Sequence, residues 1–447
     1  MVGLCGMPKG LRNFTFSFGA GGLTRFGGLS LFQQFCKSLH LRRLLQLYVR
    51  WPVYDHRDYH PVDLFMTHVF AIVAGLGRIE NTQALIHNGL VPLLLGLDTF
   101  PHRDTLRTFL WRFEKTHLRS LESAHNRLRS ELFKRLGLLY SATVDADTTT
   151  ITVFGHQESV AVGYNRKYRG KRSYAPILSS EGQYGFSLGM ELRPGNTHSS
   201  TGAWSFLKEQ IEKLPSTIAS SRIRLRLDGG FYDKAVLQKL DDQGLAYVVV
   251  AKMSKPLKKK ILSAKYREYA PGWEVAQFSY PLAHWKKEHT FVAVRRPKAL
   301  ESEALRKNLF TFKDHTYHRA LVTAHLDLQP ESIYRFYCRR GFQELLLREF
   351  KDSYHMAQIP THGHWANATF MEIILWAYDL VLAFQLLCMP NEFHAWNIST
   401  LRRDLWAIPA ELVSHGSRNI LRLPEKYPQP ELWGKIQKSI GSLKPIS

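Results

Sequence analysis

Three places in this 447-residue chain carry carboxylates whose surroundings ask for a partner. Asp145 and Asp147 sit in SATVDADTTTITVFG (141–155), a run rich in Thr, Val and Ile that reads as a strand. Strand alternation puts both on one face, where a charge among β-branched residues is costly unless paired or bound to a metal. Asp228 ends a second strand-like run, RIRLRL, and is followed by Gly-Gly-Phe-Tyr. Glycines there let the backbone turn closely around an ion or phosphate. Residues 334–354 read as one helix, on which Tyr337, Arg340, Glu344, Arg348 and Lys351 fall in a single arc of about 80°. Phe336, Phe342, Leu345, Leu346, Leu347 and Phe350 fill the rest of the circumference. Each feature has a plainer alternative. These are a strand-end aspartate paired with an Arg, an ordinary Asp-Gly turn, and a stripe of i,i+4 ion pairs. Together they match the chemistry of phosphodiester cleavage, in which hard oxygen ligands hold two cations about 4 Å apart. Basic groups on the same helix face would then hold the flanking phosphates.

The elements that must position these acids follow from periodicity. Residues 31 to about 139 show helical spacing. Within them, 103–136 carry nine Lys or Arg against four acids, including Arg107 and Arg112. That stretch is either a duplex-contacting helical module or a solvated helix face. Strands are predicted at 141–155, 173–180, 184–192, 222–227 and 246–253, and helices at 201–213 and 233–243. Strands in series, then strands alternating with helices, predict a mixed sheet with flanking helices. A basic, aromatic, β-leaning stretch begins at KPLKKK, which holds Lys258 and Lys259, and runs to about 328. It also contains Trp273, Trp285, Lys286 and Lys287 and reads as an insertion. Helical periodicity returns over 331–390. The predicted organisation is therefore a mostly helical, DNA-binding region (1–139), the first part of a catalytic core (140–253), a β-rich insertion (254–328), the last part of the core (329–390) and an extension (391–447).

Composition narrows the partner. Hydrophobic residues make up 45%, enough for a large core, and 60 Lys and Arg against 38 acids leave a net charge of +22. Such an excess attracts a polyanion, and nucleic acid fits better than a membrane, because no basic amphipathic or lipidation signal is present. The four cysteines are too far apart for a zinc knuckle or a disulfide framework, which points to a reducing, cytoplasmic compartment. The first residues show no leader pattern. The apolar run 369–389 is interrupted by Glu372, Asp379 and Gln385 and reads as a buried helix rather than a membrane span. His315 and His318 form a lone H-x2-H with no further ligands in the nearby sequence.

Tyr337, Arg340, Glu344 and Lys351 reproduce Y-x2-R-x3-E-x6-K, and on this motif the chain resembles the DDE transposases of bacterial insertion sequences. Asp147-Thr-Thr149 resembles that family's first catalytic aspartate in its D-x-T context, and Arg226-Leu-Asp228-Gly-Gly-Phe231-Tyr232 its second. Gly163-Tyr164-Asn165, Lys171, Ser173-Tyr174 and Arg193-Pro194-Gly195-Asn196 resemble its intervening segments. The likeness spans about 100–385. It implies a ribonuclease-H-like core of the retroviral-integrase superfamily with Asp147, Asp228 and Glu344 as catalytic metal ligands. Asp145, on the same face as Asp147, is a candidate for part of that role. The resemblance further implies two Mg²⁺ ions (Mn²⁺ as substitute) and double-stranded DNA, both terminal inverted repeats and target, as substrate. A homodimer on paired ends and strand transfer by a freed 3′-hydroxyl also follow from it. Tyr337, Arg340, Arg348 and Lys351 would contact DNA, and Trp285 beside Lys286, or else Trp273, would stack a flipped base if cleavage passes through a hairpin. Asp379 departs from the family, whose members usually carry Asn there. The alternatives are a nuclease of the same fold without strand transfer and a non-catalytic DNA-binding relative.

Overall fold

The computed structural model describes residues 22–53, 58–86, 88–138, 140–281, 288–300, 310–312, 315–415 and 418–446. Its frame is one large mixed sheet. In chain order the strands are β1 (Ala142–Thr148), β2 (Ile177–Glu181), β3 (Ser187–Glu191), β4 (Ile223–Leu227), β5 (Ala246–Val250), β6 (Arg267–Ala270), β7 (Trp273–Pro281), β8 (Glu288–Pro297), β9 (Phe310–Phe312) and β10 (His315–Ala324). They lie in the order β6-β7-β8-β10-β5-β4-β1-β2-β3, with β9 paired to β10. β1, β4 and β5 are mutually parallel, while β2 and β3 run antiparallel beyond β1. The parallel strands are connected through helices α7 (Ala203–Glu212, ahead of β4) and α8 (Lys234–Asp242, between β4 and β5), as a crossover requires.

The insertion does not form a separate layer. Its strand β10 pairs antiparallel with β5, so β6–β10 extend the same sheet. Its basic opening, expected to lean towards β structure, is instead helix α9 (Lys255–Ser263). The reason is local: the Ser254 hydroxyl accepts the Leu257 N–H as an N-cap, and Pro256 occupies the first turn. Two expected strands are also divided. The 141–155 run stops at Thr148 and resumes briefly at Ile151–Thr152. The 173–180 run splits at Pro176, which has no N–H to donate, leaving Arg172–Tyr174 in a small sheet with Ile151–Thr152 and Ala161–Val162.

Among the described residues, six α-helices precede the sheet: α1 (Leu29–Ser38), α2 (Leu41–Tyr48), α3 (Pro61–Val73), α4 (Leu90–Leu95), α5 (Arg103–Trp111) and α6 (Lys115–Leu136). α6 ends at Gly137, whose φ of +77° closes the helix in the left-handed region. The expected single helix over 334–354 is two, α10 (Pro330–Cys338) and α11 (Gly341–Asp352). Between them the Arg340 N–H donates to Tyr337 O and the Gln343 N–H to Arg340 O, three-residue bonds that tighten the turn.

Helix α12 (His364–Cys388) joins the two halves, packing on α3, α5 and α6 on one side and on β3 on the other. Among the described residues it alone is long and apolar enough to cross a membrane, and 83% of its most apolar window is buried inside the protein. Its acids are paired within the core. Glu372 shares a hydrogen bond with the buried His125 Nδ1 (2.7 Å), and Asp379 accepts the N–H and hydroxyl of Ser187 at the start of β3 (2.9 and 2.8 Å). Arg129 also approaches Asp379 (3.5 Å). The segment expected to be a short helical or irregular tail forms a hairpin, Ala410–His415 with Arg418–Arg422, that pairs with Leu23–Thr24. It ends in helix α13 (Pro430–Ser442), which packs back on α1 and α12.

Candidate active site

Strand register brings the two aspartates to one edge, and a docked helix brings the glutamate towards them. In the parallel pair β1/β4, Ala146 lies opposite Leu227, so the next residues, Asp147 and Asp228, emerge together at the carboxyl ends of adjacent strands. Open α/β sheets place ligands at that edge. Asp228 caps the following turn, accepting the Gly230 N–H at 2.9 Å. A Cβ on Gly230 would lie 2.7 Å from Ser199 Oγ and 2.9 Å from Asp228 Oδ1, so a larger residue there would push the Ser199 and Asp228 side chains aside. Glu344 arrives from α11, which Gln343 docks on the sheet: its amide accepts from the Ser180 hydroxyl and donates to Leu178 O.

Arg340 links the set. Its Nη2 donates to Asp147 Oδ2 (2.6 Å) and its Nη1 to Glu344 Oε1 (3.1 Å). Arg340 is buried, whereas the Glu344 side chain is 61% exposed. Burial raises the Asp147 carboxyl from its usual range to about 6; Arg340 opposes the shift, while the negative charges of Asp228 and Glu344 add to it. Lys351 has its ammonium pKa lowered by burial, with Asp352 and Asp147 opposing. It lines one cleft with Asp228, Thr148, Ser199, Tyr164 and Arg166. Thr148 and Ser199 hydroxyls bond across that cleft at 2.8 Å. Among the described residues, no three His, Cys, Asp or Glu side chains already converge as a cation site.

Asp145 is removed from the ligand set by the same register. It lies directly opposite Arg226 and is 0% exposed, and both its oxygens are held by that guanidinium (2.8 and 2.5 Å). Arg226 also donates to Phe336 O (3.2 Å), tying β1 and β4 to α10. Alternation alone did not separate Arg226 from Arg222 and Arg224; the motif around Asp228 includes it, and the parallel register gives it its role by setting it beside Asp145. Tyr337, expected at the DNA phosphates, is 1% exposed and packs with Val248, Val292, Leu321 and Ile333, with the Arg319 guanidinium 5.1 Å over its ring. Its place is that of a packing residue beneath Arg340. Phe342 and Leu345, expected to be buried, are exposed on α11.

The remaining expected DNA contacts are dispersed. Arg348 is exposed on α11, on the same helix as Glu344. Arg107 is paired with Glu80 and Asp104 (2.6 and 2.7 Å), and Arg112 donates to Val53 O (2.7 Å), so both brace the N-terminal helices. Lys258 and Lys259 lie on α9, which follows the carboxyl end of β5 and so starts from the sheet edge that carries Asp228. Trp285, Lys286 and Lys287 lie outside the described residues. Trp273 is half-buried, packed against Tyr334 with Arg296 5.0 Å from its ring.

Residues 8–445 match the family model described as transposase DDE domain, group 1. The chain belongs to this family. No curated protein matches it. Among solved structures, this DDE transposase chain is similar to the piggyBac transposase in a synaptic complex with hairpin DNA, at 12% identity and a TM-score of 0.40, over 95% of this chain and 87% of that one. Members of the DDE family generally use divalent metal ions for phosphodiester hydrolysis and transesterification, and the acids gathered here are of the kind that chemistry needs.

Proposed function

We propose that this protein is the transposase of a bacterial insertion sequence, acting in the cytoplasm on double-stranded DNA, with Asp147, Asp228 and Glu344 as the catalytic acids of a ribonuclease-H-like core. The observation that carries the reading is the emergence of Asp147 and Asp228 from adjacent parallel strands with Glu344 joined to them through Arg340. The order of β1–β5 supports the core assignment: three antiparallel strands continued by two parallel to the first.

The donor set fits a hard divalent cation, because it offers only carboxylate oxygens, and burial together with the like charges of Asp228 and Glu344 raises the Asp147 carboxyl that a cation would bring back down. Asp147, Asp228 and Glu344 would hold two Mg²⁺ ions, which supply Lewis-acid polarisation of phosphate oxygens. Arg340 balances Asp147 and Glu344 and is placed to shift a guanidinium N–H onto an incoming phosphate oxygen. Lys351 adds a second cation on the cleft wall. In the first step a water oxygen bonds to phosphorus, the bond to the 3′ oxygen breaks, and a 3′-hydroxyl is freed. In the second, that hydroxyl oxygen bonds to a target phosphorus and displaces the target strand's 3′ oxygen. Two element ends joined to one target require two such sites, and hence a homodimer on DNA.

The test uses DNA bearing the inverted repeats that flank the reading frame. Wild-type protein with Mg²⁺ should cut at the ends and give joined product. Cut ends without joined product would leave a nuclease, and end binding without cutting would leave a non-catalytic relative.

A further inference from the structure

Beside the acids the chain builds a second feature, a loop on the wall of the same cleft. Residues 163–171 connect the short strands Ala161–Val162 and Arg172–Tyr174. This loop is held hard at its base. A Cβ on Gly163 would lie 1.8 Å from Gly195 O, so the two backbones are in contact. Asn165 is buried; its amide donates to Thr152 Oγ1 (2.8 Å) and accepts the Tyr168 N–H (2.9 Å). Between these two fixed points the Tyr164 ring is 83% exposed, on the wall of the cleft that also holds Asp228 and Lys351. An exposed ring alone is ordinary at a protein surface; what distinguishes this one is its place between two fixed backbone points on the cleft wall. Its neighbours are charged. Arg166, Lys167, Arg169, Lys171 and Arg172 are all exposed, and no acid occurs between 159 and 180.

We propose, resting on the transposase reading, that Tyr164 is a stacking platform for an unpaired base of the DNA strand that leaves the carboxylates along this cleft. Arg166 and Lys167 hold the adjoining phosphates. The chemistry selects this ligand. Cations interleaved with an exposed ring suit a nucleic-acid strand, whose backbone is anionic and whose bases each offer a π-face. Within a duplex those faces are covered by neighbouring pairs, so the ring has a partner only where a base is unpaired. The fixed base of the loop reduces the backbone ordering cost of presenting the ring on binding.

The experiment measures binding of the full chain to two labelled probes in Ca²⁺: a blunt 30-base-pair duplex bearing the element's end, and the same duplex with a ten-nucleotide 3′ single-stranded extension. Tyr164→Ala is expected to lose about tenfold or more in affinity for the extended probe, the range for removing one base–aromatic stack, with little change on the blunt duplex. Tyr164→Phe, which keeps the ring, should bind both probes like wild type. An equal loss on both probes, or no loss with Tyr164→Ala, overturns the platform. Melting curves of both variants control for folding. If wild-type protein fails to cut with Mg²⁺ while the extension preference still depends on Tyr164, the transposase reading falls and the platform stands. If it cuts and Tyr164→Ala binds normally, the platform alone falls.

Discussion

Arg340 explains how three acids sit close together in a protein before any substrate arrives. It donates to two of them and stands within electrostatic reach of the third. Replacing Asp147, Asp228 or Glu344 by Ala should therefore lower end cleavage by at least about 100-fold while end binding is kept, read on a sequencing gel beside a mobility-shift assay. Asp147 also contributes to the pH dependence of stability. Burial, reinforced by Asp228 and Glu344, raises its folded-state pKa to about 6, above its ordinary value of 3.8. A raised folded pKa contributes stability below about pH 4 that is lost as pH rises through 4 to 6. Ionised Asp147 is thus a cost at pH 8, and Asp147→Asn should melt at a higher temperature than wild type there, with the difference disappearing near pH 4. A lower melting temperature for Asp147→Asn at pH 8 would contradict this assignment of the shift.

At the scale of elements, the pair Asp145–Arg226 fastens β1, β4 and α10 together and so holds the strand ends in place. Asp145→Ala would leave Arg226 buried without its charge partner, at a cost of about 3–5 kcal/mol. Urea melts should show that loss, and replacing both residues by apolar ones of similar volume should recover most of it. The same pair shows where sequence reading stopped. Alternation correctly put Asp145 and Asp147 on one face, but the opposite partner is set by inter-strand register, which a single sequence does not display. The helix carrying Glu344 was legible from its period. Its break at Arg339–Arg340 was not: Gly341 offered a stop, but it lies inside an unbroken apolar period, and the turn is fixed by where α11 docks through Gln343. Burial of Tyr337 and exposure of Phe342 follow from that same break, since the two helical pieces no longer share one buried side. KPLKKK was misread by composition; its Ser-Lys-Pro start is a capped helix entry.

Across the whole molecule, α12 makes the N-terminal helices and the sheet one body. Its buried acids are each answered by a partner on another element. The long apolar period made that helix legible, while its partners, His125 and Ser187, come from distant sequence. Arg107 and Arg112 make pairs within the N-terminal region, and the exposed 166–172 cluster and α9 add further cations at the surface to the surplus of +22. Binding to the element's ends should weaken steeply with salt. A plot of log affinity against log salt is expected to fall with a slope of about −5 or steeper, as for six or more neutralised phosphates. A slope near −1 would show that the excess charge does not face DNA. The most direct test of the central claim is a strand-transfer assay with pre-cut ends carrying a free 3′-hydroxyl and a supercoiled target plasmid. The wild-type chain should give Mg²⁺-dependent joined product, and Asp228→Ala and Glu344→Ala none. Undiminished joining by either variant, or no joining by wild type, would contradict the account.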